Sequence, residues 1–310
     1  MKFLKQATSG GTGISICQII SKSGVGKSSF LLKARSETDK LNFVSLIIDA
    51  RDLKDNIDLI IITQLFVKEL NSKLSLNFDL PQSIEDNLLF FIQANEKLKE
   101  EGFHGIIYLD QFEGLFSRPE SYYAIFDFIF EIVRTLDCFL LVLARKSDYL
   151  MTLDESTNIN IERLQNSSIS ITINDFEKNE AQELISKLEI VFGKPVKKEL
   201  VQQVFERSSG FPWLNKRICY HIKKLHNSGF SQDDIIHSGL KIEDLFDEEL
   251  ESLDELDKDF LRKLVNHLPA NIVELSEIFH DNPNYIEKLK KLQNLRLIRL
   301  TGKTFDTYND

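Results

Sequence analysis

Ser21-Lys22-Ser23-Gly24-Val25-Gly26-Lys27-Ser28 is the stretch on which the fold of this chain turns. Before it stands ISICQII (residues 14–20), a compact β-branched run that reads as a buried strand. After it comes SFLLKARSE, rich in helix formers. A strand, a glycine-bearing turn and a helix together gather backbone N–H groups around an anion and add the positive end of a helix dipole. Gly24 and Gly26 keep the turn clear of side chains, so Ser23, Gly24, Val25, Gly26, Lys27, Ser28 and Ser29 form the candidate phosphate-binding set. Lys27 is expected to neutralise phosphate charge, and the Ser28 hydroxyl to ligate Mg²⁺. One position departs from the pattern G-x-x-x-x-G-K-[ST]: its first glycine is Ser21 here, which fits the turn less freely but removes no phosphate-contacting group.

Working outward, FVSLIID (residues 43–49), GIIYLD (105–110), CFLLVLA (138–144) and SISITI (168–173) read as further strands. Helical patterns cover residues 56–74, 84–99 and 122–135, the second opened by Ser83 with Asp86 three residues on. Strands alternating with helices predict an α/β core built of βαβ units around a parallel sheet. Glycines 10, 11 and 13 precede the first strand and read as a flexible lead-in. After Asp175 the pattern turns helical: residues 177–190, 197–207, 213–227 and 232–238, then the acidic stretch 243–260. Short helices near 260–267, 272–279 and 285–293 precede LRLIRL-TGK-TFDTY, a hairpin by pattern, and the series has the layout of a winged helix. The boundaries expected are 1–175 for the α/β domain, 176–242 for a helical lid, and 243–310 for an acidic connector with the winged helix.

A phosphate turn demands a carboxylate at the end of a neighbouring strand, and Asp110 meets it, in support of Mg²⁺. Gln111 and Glu113 follow. Glu113 is a candidate to orient or deprotonate an attacking water, with Gln111 as competitor and a solvated-loop or helix-cap carboxylate as the plainer alternative. Arg145, at the tip of the fourth strand, is placed either to sense a terminal phosphate or simply as a surface residue.

Composition narrows the classes. The chain has 310 residues, 42% hydrophobic and 28% charged, with 38 basic against 48 acidic residues and a net charge of −10. A chain of that charge does not coat nucleic acid or an anionic membrane through its overall field. Cys17, Cys138 and Cys219 are an odd number without a C-x-x-C pair, which excludes a disulfide scaffold or a zinc ribbon as the organising feature. The longest apolar run, residues 138–144, is far short of the ~20 residues of a membrane span. MKFLKQATSGG lacks a signal-peptide core. A reducing cytoplasm is expected. The six histidines form no metal-like pair, and His104 and His280 read as surface residues. No serine or cysteine sits in a nucleophile-elbow pattern.

SGVGKSSFLLKAR, IIYLDQFEGLF, LLVLARKSDYL and SSGFPWLNKRICYHI together resemble the STAND class of P-loop NTPases, which includes the NACHT and NB-ARC ATPases. The DQFE form of the acidic motif with Gly-Leu-Phe behind it is the most diagnostic piece, and Arg145-x-x-Asp148 is similar to the family's sensor segment. The resemblance covers nearly the whole chain, and it implies a P-loop NTPase core of five parallel strands in the order 5-1-4-3-2. It implies that Pro212, in Gly210-Phe211-Pro212, sits against the nucleotide. It further implies an ATP/ADP-governed switch that hydrolyses Mg-ATP slowly, oligomerises with copies of itself when active, answers a protein trigger and serves prokaryotic defence or signalling. Trp213 is expected either to line the adenine pocket or to pack in the lid core. Relatives carry a segment before the first strand and a sensor after the wing. Thirteen residues precede Ile14 and the chain stops at FDTYND, so a fragment of a longer protein is expected.

A basic patch interrupts the acidic chain: Lys288, Lys290, Lys291, Arg296, Arg299 and Lys303 stand against Glu287 alone within residues 285–303. A DNA-binding winged helix carries such a patch on its third helix and wing. The same lysines fit the solvated face of a helix, or a dock for the acidic stretch. Two readings therefore stand beside the switch ATPase: an initiator-like or regulatory ATPase that binds DNA, and a scaffold that retains ADP without turnover.

Overall fold

The computed structural model describes residues 15–53, 57–117, 119–147, 155–238, 245–301 and 304–307. The lead-in glycines, Ile14, Asp148, residues 243–244, Lys303 and Tyr308 lie outside them. The chain divides into two units, Met1–Asn174 and Asp175–Asp310.

The first unit runs β1 (Ile16–Ser21), α1 (Lys27–Thr38), β2 (Phe43–Asp49), α2 (Ile57–Leu74), α3 (Ile84–Glu101), β3 (His104–Asp110), α4 (Pro119–Thr135), β4 (Phe139–Lys146), α5 (Glu155–Asn166) and β5 (Ser168–Ile171). The strands form one parallel sheet, as the sequence pattern predicts, in the order β2-β3-β4-β1-β5 that the family resemblance implies. The mostly apolar runs of β1 to β4 reflect burial on both faces, whereas β5, SISI, is only partly buried. In β4, Leu141 and Leu143 join one cluster, while Leu140, Val142 and Ala144 join the other. In β3, Ile107 and Leu109 divide from Ile106 and Tyr108 in the same way. The larger cluster takes Phe66 and Leu70 of α2, Phe91 and Leu98 of α3, and Tyr122 and Phe126 of α4. Leu31 of α1 closes the smaller one. The Ser83–Asp86 capping box opens α3, and Gly102, at φ 69°, ends it. Helix α5 escapes the sequence reading because ESTNINIERLQN is mostly polar; among its described side chains only Ile161 and Leu164 reach the core.

The second unit runs α6 (Lys178–Ser186), α7 (Leu188–Phe192), α8 (Lys198–Ser208), α9 (Pro212–Asn227), α10 (Gln232–Ser238), α11 (Asp247–Glu251), α12 (Glu255–Val265), β6 (Ala270–Asn271), α13 (Ile272–Ile278), α14 (Tyr285–Asn294), β7 (Arg299–Thr301) and β8 (Thr304–Asp306). The single helix expected over 177–190 is two. The Lys187 amide bonds back to Leu184 O and Ile185 O, and the new turn directs Leu188 and Phe192 into the core. The last strands form an antiparallel sheet, β6-β8-β7, giving the helix–strand–helix–helix–hairpin order of a winged helix. Strand β6, two residues long, is too short to register as a periodic pattern.

Gly105 lies where β3 passes under two aromatic rings. A Cβ there would come within 2.6 Å of Phe139 Cε1 and 2.9 Å of Phe66 Cζ. Those rings belong to a packed stack, with centroids 5.4 Å apart, and cannot retreat without disturbing Phe91, 5.2 Å from Phe139. Gly105→Ala is expected to lower unfolding free energy by about 1–3 kcal/mol, the usual range for overpacking, as measured by urea denaturation.

Candidate functional site

All five strands run the same way, so their C-terminal ends share one edge. The glycine-bearing turn leaves β1 at that edge and enters α1 at Lys27. Gly24 has φ 84° and Gly26 φ 100°. At Gly26 a Cβ would meet nothing within 4 Å, so the backbone conformation, rather than crowding, requires glycine. Val25 is buried beneath the turn, while Ser28 and Ser29 are exposed in the first turn of α1. The Lys27 side chain folds over the turn, and its Nζ donates to Ser21 O at 2.8 Å and Lys22 O at 2.6 Å. A cation, an open α1 N-terminus and a left-handed glycine turn suit a polyphosphate.

Ser21 is more than a tolerated replacement for glycine. Its hydroxyl accepts the Ile173 N–H at 2.6 Å, beyond the last β1–β5 partners Ile19 and Ile171, and donates to Ile20 O at 2.7 Å. Its carbonyl accepts the Ser147 N–H at 3.0 Å as well as the Lys27 amine. One residue thus joins the turn to the exits of β4 and β5. A glycine provides the carbonyl but not the hydroxyl.

Across the edge, β4 separates β1 from β3. The register puts Asp110 level with Ile19, two residues short of Ser21, so at ~4.8 Å per strand and ~3.3 Å per residue the two strand ends lie about 12 Å apart. Asp110 closes β3, 8% exposed, and its Oδ1 accepts the Gln111 N–H at 2.9 Å. Glu113 is 2% exposed; its Oε2 accepts the Lys146 N–H at 3.0 Å, and Lys146 Nζ lies 3.8 Å from Oε1. Burial pushes the Glu113 carboxyl up, against the pull of Lys146 and Lys27. The solvated-loop alternative for Glu113 is therefore incorrect: the turn Phe112–Ser117 carries it inward beneath β4.

Arg145 is half-buried, not a plain surface residue. Burial draws its guanidinium down from its ordinary value, opposed by Glu113. Its Nε reaches Gln18 Oε1 at 3.5 Å, and Gln18 Nε2 donates to Ser168 Oγ at 2.7 Å. Gln18, fully buried in β1, went unread in the sequence, although a lone amide inside ISICQII was a visible signal. Asp49 also went unread. It ends β2 in register with Asp110 and receives both Arg51 and Gln111.

The structure thus brings Lys27, Asp110, Glu113 and Arg145 to one edge of the first unit. Pro212 belongs to the second, at the first position of α9, where a missing N–H costs nothing. Gly210 before it, at φ 76°, would place a Cβ 2.4 Å from Phe176 O. Trp213 packs in the helical core, its ring 5.8 Å from Phe246, with Arg296 at 4.6 Å and Arg217 at 5.4 Å. His280 is exposed, whereas His104 is half-buried beside Phe43.

The basic patch is largely spoken for. Lys288 Nζ donates to Asp257 Oδ1 at 2.7 Å, and Lys291 bonds to Asp257 Oδ2. Arg299 lies 3.5 Å from Asp306. Asp257 is buried in α12, so the acidic stretch does supply a dock for the third helix of the winged fold.

No family profile and no curated protein matches the chain. Solved structures do. A Walker-type ATPase of Pyrococcus abyssi superposes with a TM-score of 0.62 at 14% identity, over 99% of this chain and 91% of that one. The Aeropyrum pernix ORC2 protein, solved as ADPNP–ADP complexes, gives 0.55 at 15% identity over 99% and 87%. The A. pernix ORC1 protein, solved in complex with DNA, gives 0.51 at 13% identity over 100% and 87%. The first unit has the fold of a P-loop NTPase. Among the described residues no helix is long and apolar enough to cross a membrane.

Two outcomes follow from these contacts. Ser21→Gly removes both hydroxyl hydrogen bonds and should cost about 1–3 kcal/mol, with faster hydrogen exchange at the Ile173 amide. Lys288 and Lys291 hold the Asp257 carboxyl below the usual carboxylate range. That stabilisation is present above the unfolded-state pKa of ~3.9 and is lost as pH falls through the folded value. Asp257→Asn should therefore cost about 1–3 kcal/mol at pH 7, with the deficit shrinking in acid, as read by chemical denaturation at several pH values.

Proposed function

We propose that the chain is an ATP-binding and ATP-hydrolysing switch module of STAND type, transferring a phosphoryl group to water. The observation that carries this reading is the single edge on which the left-handed glycine turn, the Lys27 amine and the Asp110 carboxylate converge. The backbone N–H groups of residues 23–29 cradle the phosphates, with Lys27 leaving its loop carbonyls to neutralise charge. Ser28 and Asp110 hold Mg²⁺, directly or through water, and the ion supplies charge neutralisation at the phosphoryl oxygens. Arg145 senses the terminal phosphate from the end of β4. Glu113 or Gln111 orients the water. The modules are a nucleotide domain over 1–175, a lid over 176–242 that presents Pro212 to the nucleotide, and a connector with winged helix over 243–310. Nucleotide state shifts the population between closed and open arrangements and so governs self-assembly. A cytoplasmic role in prokaryotic defence or signalling, set off by a protein trigger, fits this design.

An initiator-like ATPase that binds DNA through residues 285–303 is the second reading, supported by likeness along the whole chain to a protein solved with DNA. Asp257 weighs against it, because two of the lysines that would meet phosphates are already paired. An ADP-retaining scaffold without turnover is the third.

Purified protein should bind Mg-ATP and release phosphate. Lys27→Ala is expected to weaken nucleotide binding by about 100-fold, and Asp110→Asn to lower turnover by a similar factor while nucleotide still binds. Unchanged nucleotide binding in Lys27→Ala sinks the assignment. Tightly held ADP with no Lys27-dependent phosphate release selects the scaffold. Salt-dependent binding of duplex DNA, lost on reversing Lys290 and Lys291, selects the initiator-like reading.

A further inference from the structure

Between β2 and β3 the strand-end edge carries a linked set of contacts around Asp49, to which the roles above assign nothing. Asp49 and Asp110 are register partners at the last position of their strands. Gln111 follows Asp110 with φ 53°, a left-handed backbone rarely taken by residues with a side chain. Two bonds pin it there: its N–H donates to Asp110 Oδ1 at 2.9 Å, and its carbonyl accepts the Gly114 N–H at 2.8 Å. Its side chain then reaches across to β2, where Nε2 donates to Asp49 Oδ2 at 3.1 Å. Such strained backbone clusters at functional sites, and of the left-handed residues Ser75, Gln111, Ser209 and Arg296 it is Gln111 that stands beside the strand-end carboxylates.

Asp49 is itself fixed. Arg51 grips it with Nε at 3.0 Å from Oδ1 and Nη2 at 2.6 Å from Oδ2, and the Arg51 N–H adds a bond to Oδ1 at 3.0 Å. Arg51 packs in turn against Gly114, where a Cβ would meet its Cγ at 3.0 Å. A carboxylate can only accept, so the Gln111 amide must present its NH₂ to Asp49. Its carbonyl oxygen is then left facing away from Asp49 as an acceptor. Glu113, by contrast, spends its carboxylate on Lys146 and is almost wholly buried.

Building on the ATPase reading, we propose that Asp49 is a positioning residue for phosphoryl transfer. It holds the Gln111 carboxamide beside Asp110, so that the Gln111 Oε1, and not Glu113, orients the attacking water. An amide orients water by accepting its proton in a hydrogen bond and takes no proton from it. The proton leaves with the phosphate product.

A double-mutant cycle on the full chain tests this. Asp49→Ala should lower kcat by about 10-fold or more with KM for ATP within about threefold, because the phosphate turn is untouched. Gln111→Ala should do the same, and the double variant should be no worse than either single one. Asp49→Asn keeps an acceptor for Gln111 Nε2 and should retain most of kcat, which separates positioning from collapse of the turn. Three results overturn the inference: unchanged kcat in Asp49→Ala, losses that multiply in the double variant, or turnover abolished by Glu113→Gln but not by Gln111→Ala. Wild-type phosphate release that disappears in Lys27→Ala leaves the ATPase reading standing through any of these. Its absence removes both.

Discussion

The structure depends on one constraint: five parallel strands must end at the same edge. In a parallel sheet every crossover returns the chain to the far side, so whatever residue closes a strand meets those that close its neighbours. Here the closing residues are Asp49, Asp110, Lys146 and Ser21 along β2, β3, β4 and β1. Two carboxylates therefore stand level on β2 and β3, while the lysine and the start of the glycine turn stand level on β4 and β1, two residues further along. The apolar runs behind them bury both faces of the sheet and make that edge rigid.

Burial then sorts groups that look alike in the sequence. Asp110 and Glu113 are three residues apart, yet one closes a strand while the other turns under β4 and is held by Lys146. Lys288 and Lys291 resemble a nucleic-acid surface until Asp257 pairs with both, covering Lys288 and leaving Lys291 exposed. In each case a buried charge takes its partner from a distant element, because an unpaired one in low dielectric is too costly. The pairing consumes the groups that a surface function would have used.

Much was legible in the residues. Short-range signals survive folding: the glycine turn between strand and helix, the Ser83–Asp86 cap, the apolar runs of the strands, and the hairpin at Arg299–Asp306. Signals failed where periodicity was too brief or too polar to read, as in the two residues of β6 and the polar helix α5. Gln18 and Asp49 failed for another reason. Each is one polar residue at a strand position, and its meaning lies in partners more than sixty residues away.

By itself the sequence determined most of the element order, the glycine turn and the carboxylate that ends β3, because these rest on backbone conformation and on neighbours along the chain. Tertiary structure alone decided what Ser21 does, which of the two acidic-motif side chains is tied down, and where the basic patch spends its charge. Those outcomes turn on hydrogen bonds and ion pairs between elements remote in sequence. No local pattern encodes such contacts, since each exists only once the sheet and the helical core have closed.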